Sequence, residues 1–308
     1  MSIMTPCTTT SPAKAWLESL RLRTLPLAFA SIVMGSAIAS LQGVFHPLIA
    51  LLALLTAGLL QILSNLANDY GDAEKGSDTP DRVGPLRGMQ KGLITAPQMK
   101  QAIMLTVALT VISGVALIAV ACQKPSDVLG FLILGLLSIG AAITYTVGTR
   151  PYGYMGLGDI SVLIFFGWIS VAGTFYLQAG HFDWIVMLPA TATGLLATAV
   201  LNINNLRDIE TDSANGKNTL AVRLGPLNAR RYHTIILTAA AICLAMFSAA
   251  YVRHWTGWLF LLAIPMLAIH IHRVKNAKTS MEVRPLLEHM VKAALLTNVL
   301  FALGLLLN

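Results

Sequence analysis

The amino-acid sequence predicts an all-α polytopic membrane protein with nine transmembrane helices, forming a single domain over residues 1–308. Composition supports this fold class, because 56% of the residues are hydrophobic and only 11% are charged, whereas soluble domains carry roughly 25% charged residues. Most of the apolar stretches also have the roughly 20 residues that a helix needs to cross a bilayer. The polar alternation of an outer-membrane barrel does not occur in the sequence, so helices are the predicted spanning elements.

The nine apolar stretches follow one another along the chain and are separated by polar segments. They are 24–41, 47–66, 100–121, 127–147, 157–178, 184–204, 233–252, 256–271 and 290–307. The eighth is short and ends among basic residues, so its boundary is the least defined. Residues 1–15 are predicted to form a flexible cytoplasmic tail before the first span.

The distribution of Lys and Arg predicts the orientation of the bundle. The N-terminal tail and the loops on its side hold 19 of the 21 Lys and Arg residues, and the opposite loops hold only Lys124 and Arg253. Basic residues favour the cytoplasmic side. We therefore predict a cytoplasmic N-terminus, a periplasmic C-terminus and two long cytoplasmic cap loops, at 69–99 and 205–232. The predicted location is the cytoplasmic (inner) membrane of a bacterium.

Two acidic runs lie at the ends of the second and sixth predicted spans. In the first run, Asn65, Asp69 and Asp72 are spaced i, i+4 and i+7, which places them on one helix face. The second run repeats the pattern at i, i+4 and i+8 with Asn204, Asp208 and Asp212. The two runs are offset by 139 residues, which indicates a weak internal repeat of four helices. Chance similarity of two polar helix ends is the alternative.

Carboxylates in membrane spans predict a function, because each costs about 2.5–3.5 kcal/mol at the helix centre and less toward the ends. Carboxylate and amide oxygens bind hard divalent cations, and Mg²⁺ typically takes one or two carboxylates together with substrate phosphate oxygens. Two such helix faces opposite each other are predicted to hold Mg²⁺ with a diphosphate between them. The alternative, a solvated helix end, accounts more easily for one Asp than for two matched sets.

Basic residues follow both acidic runs and suit an anionic ligand. Arg gives bidentate contacts to phosphate, and Lys gives a point charge. The candidates for the diphosphate side are Arg82, Arg87, Lys91 and Lys217. Ordinary cytoplasmic-loop charge is the competing interpretation. The chain has no soluble basic domain to bind nucleic acid, and the sequence does not indicate an oligomeric state.

A third polar stretch, from Tyr145 to Asp159, links the fourth and fifth spans on the same side as the acidic runs. A lone carboxylate inside a span needs a partner, and Arg150 is the predicted partner of Asp159. The pair is either structural or binds and activates an acidic aromatic substrate. Tyr152 and Tyr154 are most simply interpreted as membrane-interface anchors.

These motifs resemble the UbiA superfamily of intramembrane prenyltransferases, from about Ala15 to the C-terminus. The first family motif, N-D-x-x-D-x-x-x-D, is matched by Asn68, Asp69 and Asp72, and Gly76 stands where the last Asp is expected. The second motif, D-x-x-x-D, is matched by Asp208 and Asp212. The resemblance implies a nine-helix bundle with these two motifs on helices 2 and 6.

The resemblance further implies the substrates: a polyprenyl diphosphate donor with Mg²⁺, and an aromatic acid that loses its carboxylate and gains the prenyl chain. The most similar branch is the one that prenylates 1,4-dihydroxy-2-naphthoate in menaquinone synthesis. The segments Gly84-Pro-Leu-Arg-Gly and Gly156-Leu-Gly-Asp159 carry this closer likeness. In that reaction Asp159 would polarise the naphthol and Arg150 would face the substrate carboxylate.

Two alternatives stay open at this point. A 4-hydroxybenzoate-type prenyltransferase shares the two acidic motifs and differs in its acceptor. A cation-coupled secondary transporter also carries intramembrane carboxylates and internal repeats. However, the carboxylates of this chain lie at helix ends on one side of the membrane, whereas a transporter typically places them near mid-depth.

Overall fold

The computed structural model describes residues 11–76 and 88–308, and the regular structure within these ranges is entirely helical. Nine segments of the described chain are helices long and apolar enough to cross a membrane. Each overlaps one predicted span, so the prediction of a multi-pass, nine-span protein is confirmed. The orientation of the bundle in the membrane stays a prediction.

Helices of the first half begin at sequence signals that are readily recognised. The helices are α1 (Pro12–Leu20), α2 (Leu25–Leu41), α3 (Pro47–Glu74), α4 (Ala96–Ala121) and α5 (Pro125–Thr144). Proline is the first residue of three of them, where its missing N–H is not needed for an intrahelical bond. A capping box between Thr95 and Gln98 begins α4.

The second half contains the longest helix and the most irregular one. The helices are α6 (Gly158–Ala179), α7 (Met187–Arg207), α8 (Ile209–Ala214), α9 (Leu220–Tyr251), α10 (Ile264–Asn276) and α11 (Ser280–Leu306). The middle of α6, Leu163–Ala172, is a π-helix. A 3₁₀ segment, Trp255–Ala263, precedes α10. Gly225, with φ of +74°, and Pro226 interrupt the early part of α9.

Several predicted loop boundaries are wrong, because the helices continue through polar residues past the ends of the apolar stretches. Helix α3 continues to Glu74, eight residues past the predicted end of its span, and α9 starts at Leu220 rather than at 233. The predicted cap loops 69–99 and 205–232 are therefore partly helical. The predicted tail over 1–15 is helical from Pro12. Residues 1–10 of that tail and 77–87 of the first loop lie outside the described residues.

The core of the bundle is centred on α7, which packs against α2, α6, α9 and α11. Gly167 and Gly194 let α6 and α7 cross closely, since a Cβ on Gly194 would lie 2.8 Å from the Leu163 carbonyl oxygen. At the other extreme, α5 has no buried residue. It exposes large apolar side chains such as Leu136 and is a lipid-facing helix. The buried centre thus places the end of α7, with the second acidic run, inside the protein.

Candidate active site

The first acidic run lies on the interior face of α3, in its last three turns. Asn65, Asp69 and Asp72 are 3%, 1% and 4% exposed. A solvated helix end would leave such carboxylates in water, so the burial requires compensating cations or hydrogen bonds.

Arg21 provides the positive charge for Asp69. Its guanidinium forms an ion pair with Asp69 Oδ1. Arg21 occupies the left-handed region, with φ of 48° and ψ of 49°, at the break between α1 and the next turn. Asn65 stabilises this break, because its Nδ2 donates to the Leu20 carbonyl at 3.0 Å and to Thr24 Oγ1 at 3.1 Å. Asn65 therefore supports the turn that presents Arg21 to Asp69.

The segment after α5 closes over the first acidic run. Tyr154 donates its hydroxyl proton to Asp72 Oδ1 at 2.8 Å. Thr146 donates from Oγ1 to Asn68 Oδ1 at 3.1 Å and to the Ala67 carbonyl at 3.1 Å. Tyr154, predicted as a membrane-interface anchor, is thus a direct partner of the first acidic run.

The second acidic run carries its own arginine. The Arg207 Nε lies 2.7 Å from Asp208 Oδ1 and its Nη2 lies 2.5 Å from Asp208 Oδ2, a bidentate pair. The same Nη2 donates to Asn204 Oδ1 at 2.9 Å. Arg207 and Asp208 are 6% and 4% exposed. The helix is interrupted at Asp208, between α7 and α8, so the second run is not one continuous helical face.

Lys217 and Tyr154 connect the second run to the first. Lys217 Nζ lies 3.7 Å from Asp212 Oδ1. The same Nζ lies 5.4 Å from the centroid of the Tyr154 ring, within cation–π range. Because the Tyr154 hydroxyl binds Asp72, this one side chain contacts the first run directly and the second run through Lys217. The two halves of the chain therefore meet at Tyr154.

The pKa of the Tyr145 phenol responds to charges of both acidic runs. Burial, followed by the negative charge of Asp159 and smaller effects of Asp72 and Asp212, raises the pKa of the Tyr145 phenol well above its usual range. Charges act appreciably on a buried group because little water screens them. One carboxylate of each run therefore acts electrostatically on the same phenol.

The predicted ion pair between Arg150 and Asp159 is not formed. Asp159 is 4% exposed at the start of α6, whereas Arg150 is exposed on the preceding loop. The left-handed Gly148, with φ of +109°, and Pro151 turn that loop outward. Tyr232 of α9 is instead the polar neighbour of the Asp159 carboxylate. The role of Arg150 toward a substrate carboxylate stays a prediction.

The remaining predicted residues near the first acidic run lie in different environments. Lys91 forms an ion pair with Glu18 of α1 at 2.6 Å, so Glu18 neutralises its charge. Arg82 and Arg87 lie outside the described residues. Gly76, at the position of the missing family Asp, ends the turn after α3 with φ of +67°, a conformation that favours glycine.

The donor set fits a magnesium ion that shares its ligands with a substrate. Within the described ranges, no three His, Cys, Asp or Glu side chains lie close enough together to hold a metal ion unaided. The site offers carboxylate and amide oxygens, which are hard ligands, and places Arg and Lys beside them. Such a set suits Mg²⁺ whose remaining ligands are phosphate oxygens.

Sequence reasoning missed four residues of this site: Arg21, Arg207, Tyr154 and Tyr232. For Arg207 the signal was available, because a basic residue directly before Asp208 at a helix end is positioned to neutralise it. The partners of Arg21 and Tyr154 lie 48 and 82 residues away in the sequence. Only the tertiary packing brings these pairs together.

Comparison with known proteins agrees with this geometry. Residues 28–307 match the model of the UbiA prenyltransferase family. The chain is 64% identical over 298 residues to the 1,4-dihydroxy-2-naphthoate octaprenyltransferase of Escherichia coli K12, with 97% of each chain covered. It is 55% identical over 298 residues to the protein of the same name from Haemophilus influenzae, with 96% of each covered.

Solved structures share the fold at low sequence identity. An apo UbiA homolog from Aeropyrum pernix K1 superposes with a TM-score of 0.69 at 16% identity, covering 93% of this chain and 98% of that one. A UbiA homolog from Archaeoglobus fulgidus, bound to DMAPP and Mg²⁺, gives a TM-score of 0.61 at 15% identity, covering 93% and 99%.

Proposed function

This chain belongs to the UbiA prenyltransferase family, and from that premise we propose that it transfers a polyprenyl group from polyprenyl diphosphate to 1,4-dihydroxy-2-naphthoate. The carboxylate of the acceptor leaves as CO₂, and the product is a demethylmenaquinol for menaquinone synthesis. The names of the Escherichia coli and Haemophilus influenzae relatives support this choice of acceptor. Bacterial relatives also favour the cytoplasmic membrane as the location.

The observation that carries the proposal is the meeting of two acidic helix ends from opposite halves of the chain. Tyr154 joins them, through its hydrogen bond to Asp72 and its ring contact with Lys217. Each end also carries a paired guanidinium, Arg21 or Arg207. Carboxylates and fixed cations at one place suit a ligand that combines metal ions with an anion.

On the donor side, the diphosphate binds between the two acidic runs. Mg²⁺ held by Asp69, Asp72, Asp208 and Asp212, with amide oxygens from Asn68 and Asn204, would neutralise the diphosphate and make it a better leaving group. Arg21, Arg207 and Lys217 add positive charge at the same place. Charge stabilisation of this kind, by groups fixed before the reaction, is the main catalytic contribution that we assign to the site.

The bond changes follow from this placement. The allylic C1–O bond of the donor breaks, and its electron pair leaves with the diphosphate. The π electrons of the electron-rich ring form the new bond to C1 at the ring carbon that bears the carboxylate. The bond from the ring to its carboxylate then breaks, so CO₂ leaves and the electron pair restores the aromatic ring. The apolar bundle excludes water, which would otherwise capture the allylic cation.

A single assay tests this function against its alternatives. Purified protein in nanodiscs is incubated with labelled polyprenyl diphosphate, Mg²⁺ and either dihydroxynaphthoate or 4-hydroxybenzoate. We expect diphosphate release and a prenylated naphthol. A prenylated hydroxybenzoate would reassign the acceptor, and ion flux without diphosphate release would identify a cation-coupled transporter. Omitting Mg²⁺, or replacing it with another divalent ion, tests the metal.

A further inference from the structure

A cavity of about 200 Å³ lies where α6, α7 and α9 meet. Its walls are largely apolar and include Ile160, Leu163, Leu195 and Leu220. Asp159 and Tyr232 bring a carboxylate and a phenol to this apolar space. A mostly apolar wall with a few polar groups is typical of small-molecule sites.

The Asp159 carboxylate is incompletely satisfied in this cavity. The side chain is 4% exposed, and its Oδ1 is buried with no hydrogen-bond partner among the described residues. Thr198 does not supply one, because its hydroxyl donates to the main-chain oxygens of Gly194 at 2.9 Å and of Asp159 at 3.3 Å. Buried polar atoms are rarely left unsatisfied, so a cavity-lining carboxylate with an unpartnered oxygen is suited to a ligand that donates to it.

The cavity has the size of an aromatic ring system. An apolar protein cavity of about 150 Å³ holds benzene, so about 200 Å³ accommodates a one- or two-ring aromatic molecule. A polyprenyl tail is far longer than this space. The Asp159 carboxylate in the cavity wall further selects a ring that carries a hydroxyl group.

The cavity lies next to the first acidic run. Gly156, which lines the cavity, is two residues from Tyr154, whose hydroxyl donates to Asp72 Oδ1. A Cβ added to Gly158 would lie 2.9 Å from the Tyr145 hydroxyl, so the phenol of Tyr145 packs directly against the residue before Asp159. A ring in the cavity would therefore lie close to the proposed diphosphate site.

We propose that this cavity is the subsite for the aromatic ring of the acceptor, an assignment that rests on the prenyl transfer proposed above. A ring hydroxyl donates to the Asp159 carboxylate, and Tyr232 positions this carboxylate from the side of α9. Donation to a carboxylate increases the electron density of the ring and favours its attack on the allylic carbon. Asp159 thus contacts the substrate, whereas Tyr232 acts through Asp159.

Steady-state kinetics on Tyr232→Phe, Asp159→Asn and Leu195→Trp, which fills the cavity, test the subsite. We expect the KM for dihydroxynaphthoate to rise about tenfold in Tyr232→Phe and more in the other two, with an unchanged KM for the donor. Tyr251→Phe, at the far end of the same helix, is the matched control and keeps both KM values. In Asp159→Asn we also expect a lower kcat, because the ring loses its activating acceptor. A structural defect would instead raise the KM values of acceptor and donor together in all three variants, and this outcome would overturn the assignment.

Binding of 1-hydroxy-2-naphthoate without donor or metal separates this inference from the proposed function. We expect wild type and Tyr251→Phe to bind it and Leu195→Trp to lose binding at least tenfold. If the wild type transfers the prenyl group but all three cavity variants keep the wild-type acceptor KM and binding, the subsite alone is refuted. Loss of binding in the variants, without any prenyl product from the wild type, would refute the proposed function and leave the aromatic site in place.

Discussion

The hydroxyl of Tyr154 donates a 2.8 Å hydrogen bond to Asp72 Oδ1 across 82 residues of sequence. On its other side, the Tyr154 ring faces Lys217, which pairs with Asp212. One tyrosine thereby links the first acidic run to the lysine that pairs with the second. We expect the proposed catalytic geometry to depend on this contact, since a shift of about 1 Å at a reacting centre can lower the rate a hundredfold.

Tyr154→Phe tests that contact. The substitution removes a hydrogen bond to a charged group, worth about 1.5–3 kcal/mol, and retains the ring under Lys217. We expect the KM for polyprenyl diphosphate to rise about tenfold and the Mg²⁺ concentration for half-maximal rate to rise with it. Tyr152→Phe in the same segment is the control, because the Tyr152 hydroxyl bonds to Ala141 and Ser161 and, within the described ranges, to no residue of either acidic run. Equal kinetics in the two variants would contradict the role of Tyr154.

Asp69→Ala and Asp208→Ala test the metal and diphosphate site. Each removes a proposed ligand from one acidic run, so we expect turnover to fall by a factor on the order of 10²–10³ or more, as when a transition-state charge loses its partner. Glu210→Ala, on the exposed side of α8, should retain activity. The assay is diphosphate release, with membrane insertion checked separately. Near-normal Mg²⁺-dependent turnover in either aspartate variant contradicts the assignment.

Arg207→Gln tests the buried ion pair. Both side chains of the Arg207–Asp208 pair are buried, and removing one partner leaves an uncompensated charge that costs about 3–5 kcal/mol. We expect a clear fall in the thermal unfolding midpoint in detergent and a smaller fall for Arg207→Lys, which keeps the charge but not the bidentate geometry. Arg231→Gln, at an exposed position of α9, provides the comparison. If both Gln variants melt alike, the pair does not stabilise the fold.

Tyr145 should stay protonated throughout the physiological range. Burial, followed by the charge of Asp159, raises the pKa of its phenol above the ordinary value of about 10. Because folding favours the protonated form, the associated stability is fully present below pH of about 10 and is lost as the pH rises through the folded pKa. Subtracting the tyrosinate absorbance titration of Tyr145→Phe from that of wild type should give a late-titrating tyrosine. A difference curve centred near pH 10 would disprove this.

Hydropathy predicts the nine spans well, because bilayer thickness and helix rise fix the length of an apolar helix. It predicts their ends poorly: Asp69 and Asp72 are polar but continue α3, since a helix persists beyond the hydrocarbon when buried partners satisfy its side chains. The spacing of the acidic residues correctly indicated one face on α3. The partners Arg21, Tyr154 and Tyr232 come from distant segments, and periodicity carries no information about such contacts.

In the loop before α6, the sequence predicted a contact that the structure does not form. Arg150 and Asp159 are close in sequence and opposite in charge, which made them an obvious pair. The outward turn at Gly148 and Pro151 separates them, and a tyrosine from α9 occupies the place of the arginine. Sequence proximity is a weak predictor of pairing wherever a turn lies between the two residues.

The pairing of each acidic run with an arginine implies thermodynamic coupling between metal and substrate. If Asp69 and Asp208 hold the metal as proposed, Mg²⁺ alone would compete with Arg21 for Asp69 and with Arg207 for Asp208. A diphosphate that arrives with the metal would offer the displaced guanidinium groups new anionic oxygens. Each ligand would then increase the affinity for the other, and by linkage the factor would be equal in both directions. Without ligand, the two ion pairs neutralise these buried carboxylates.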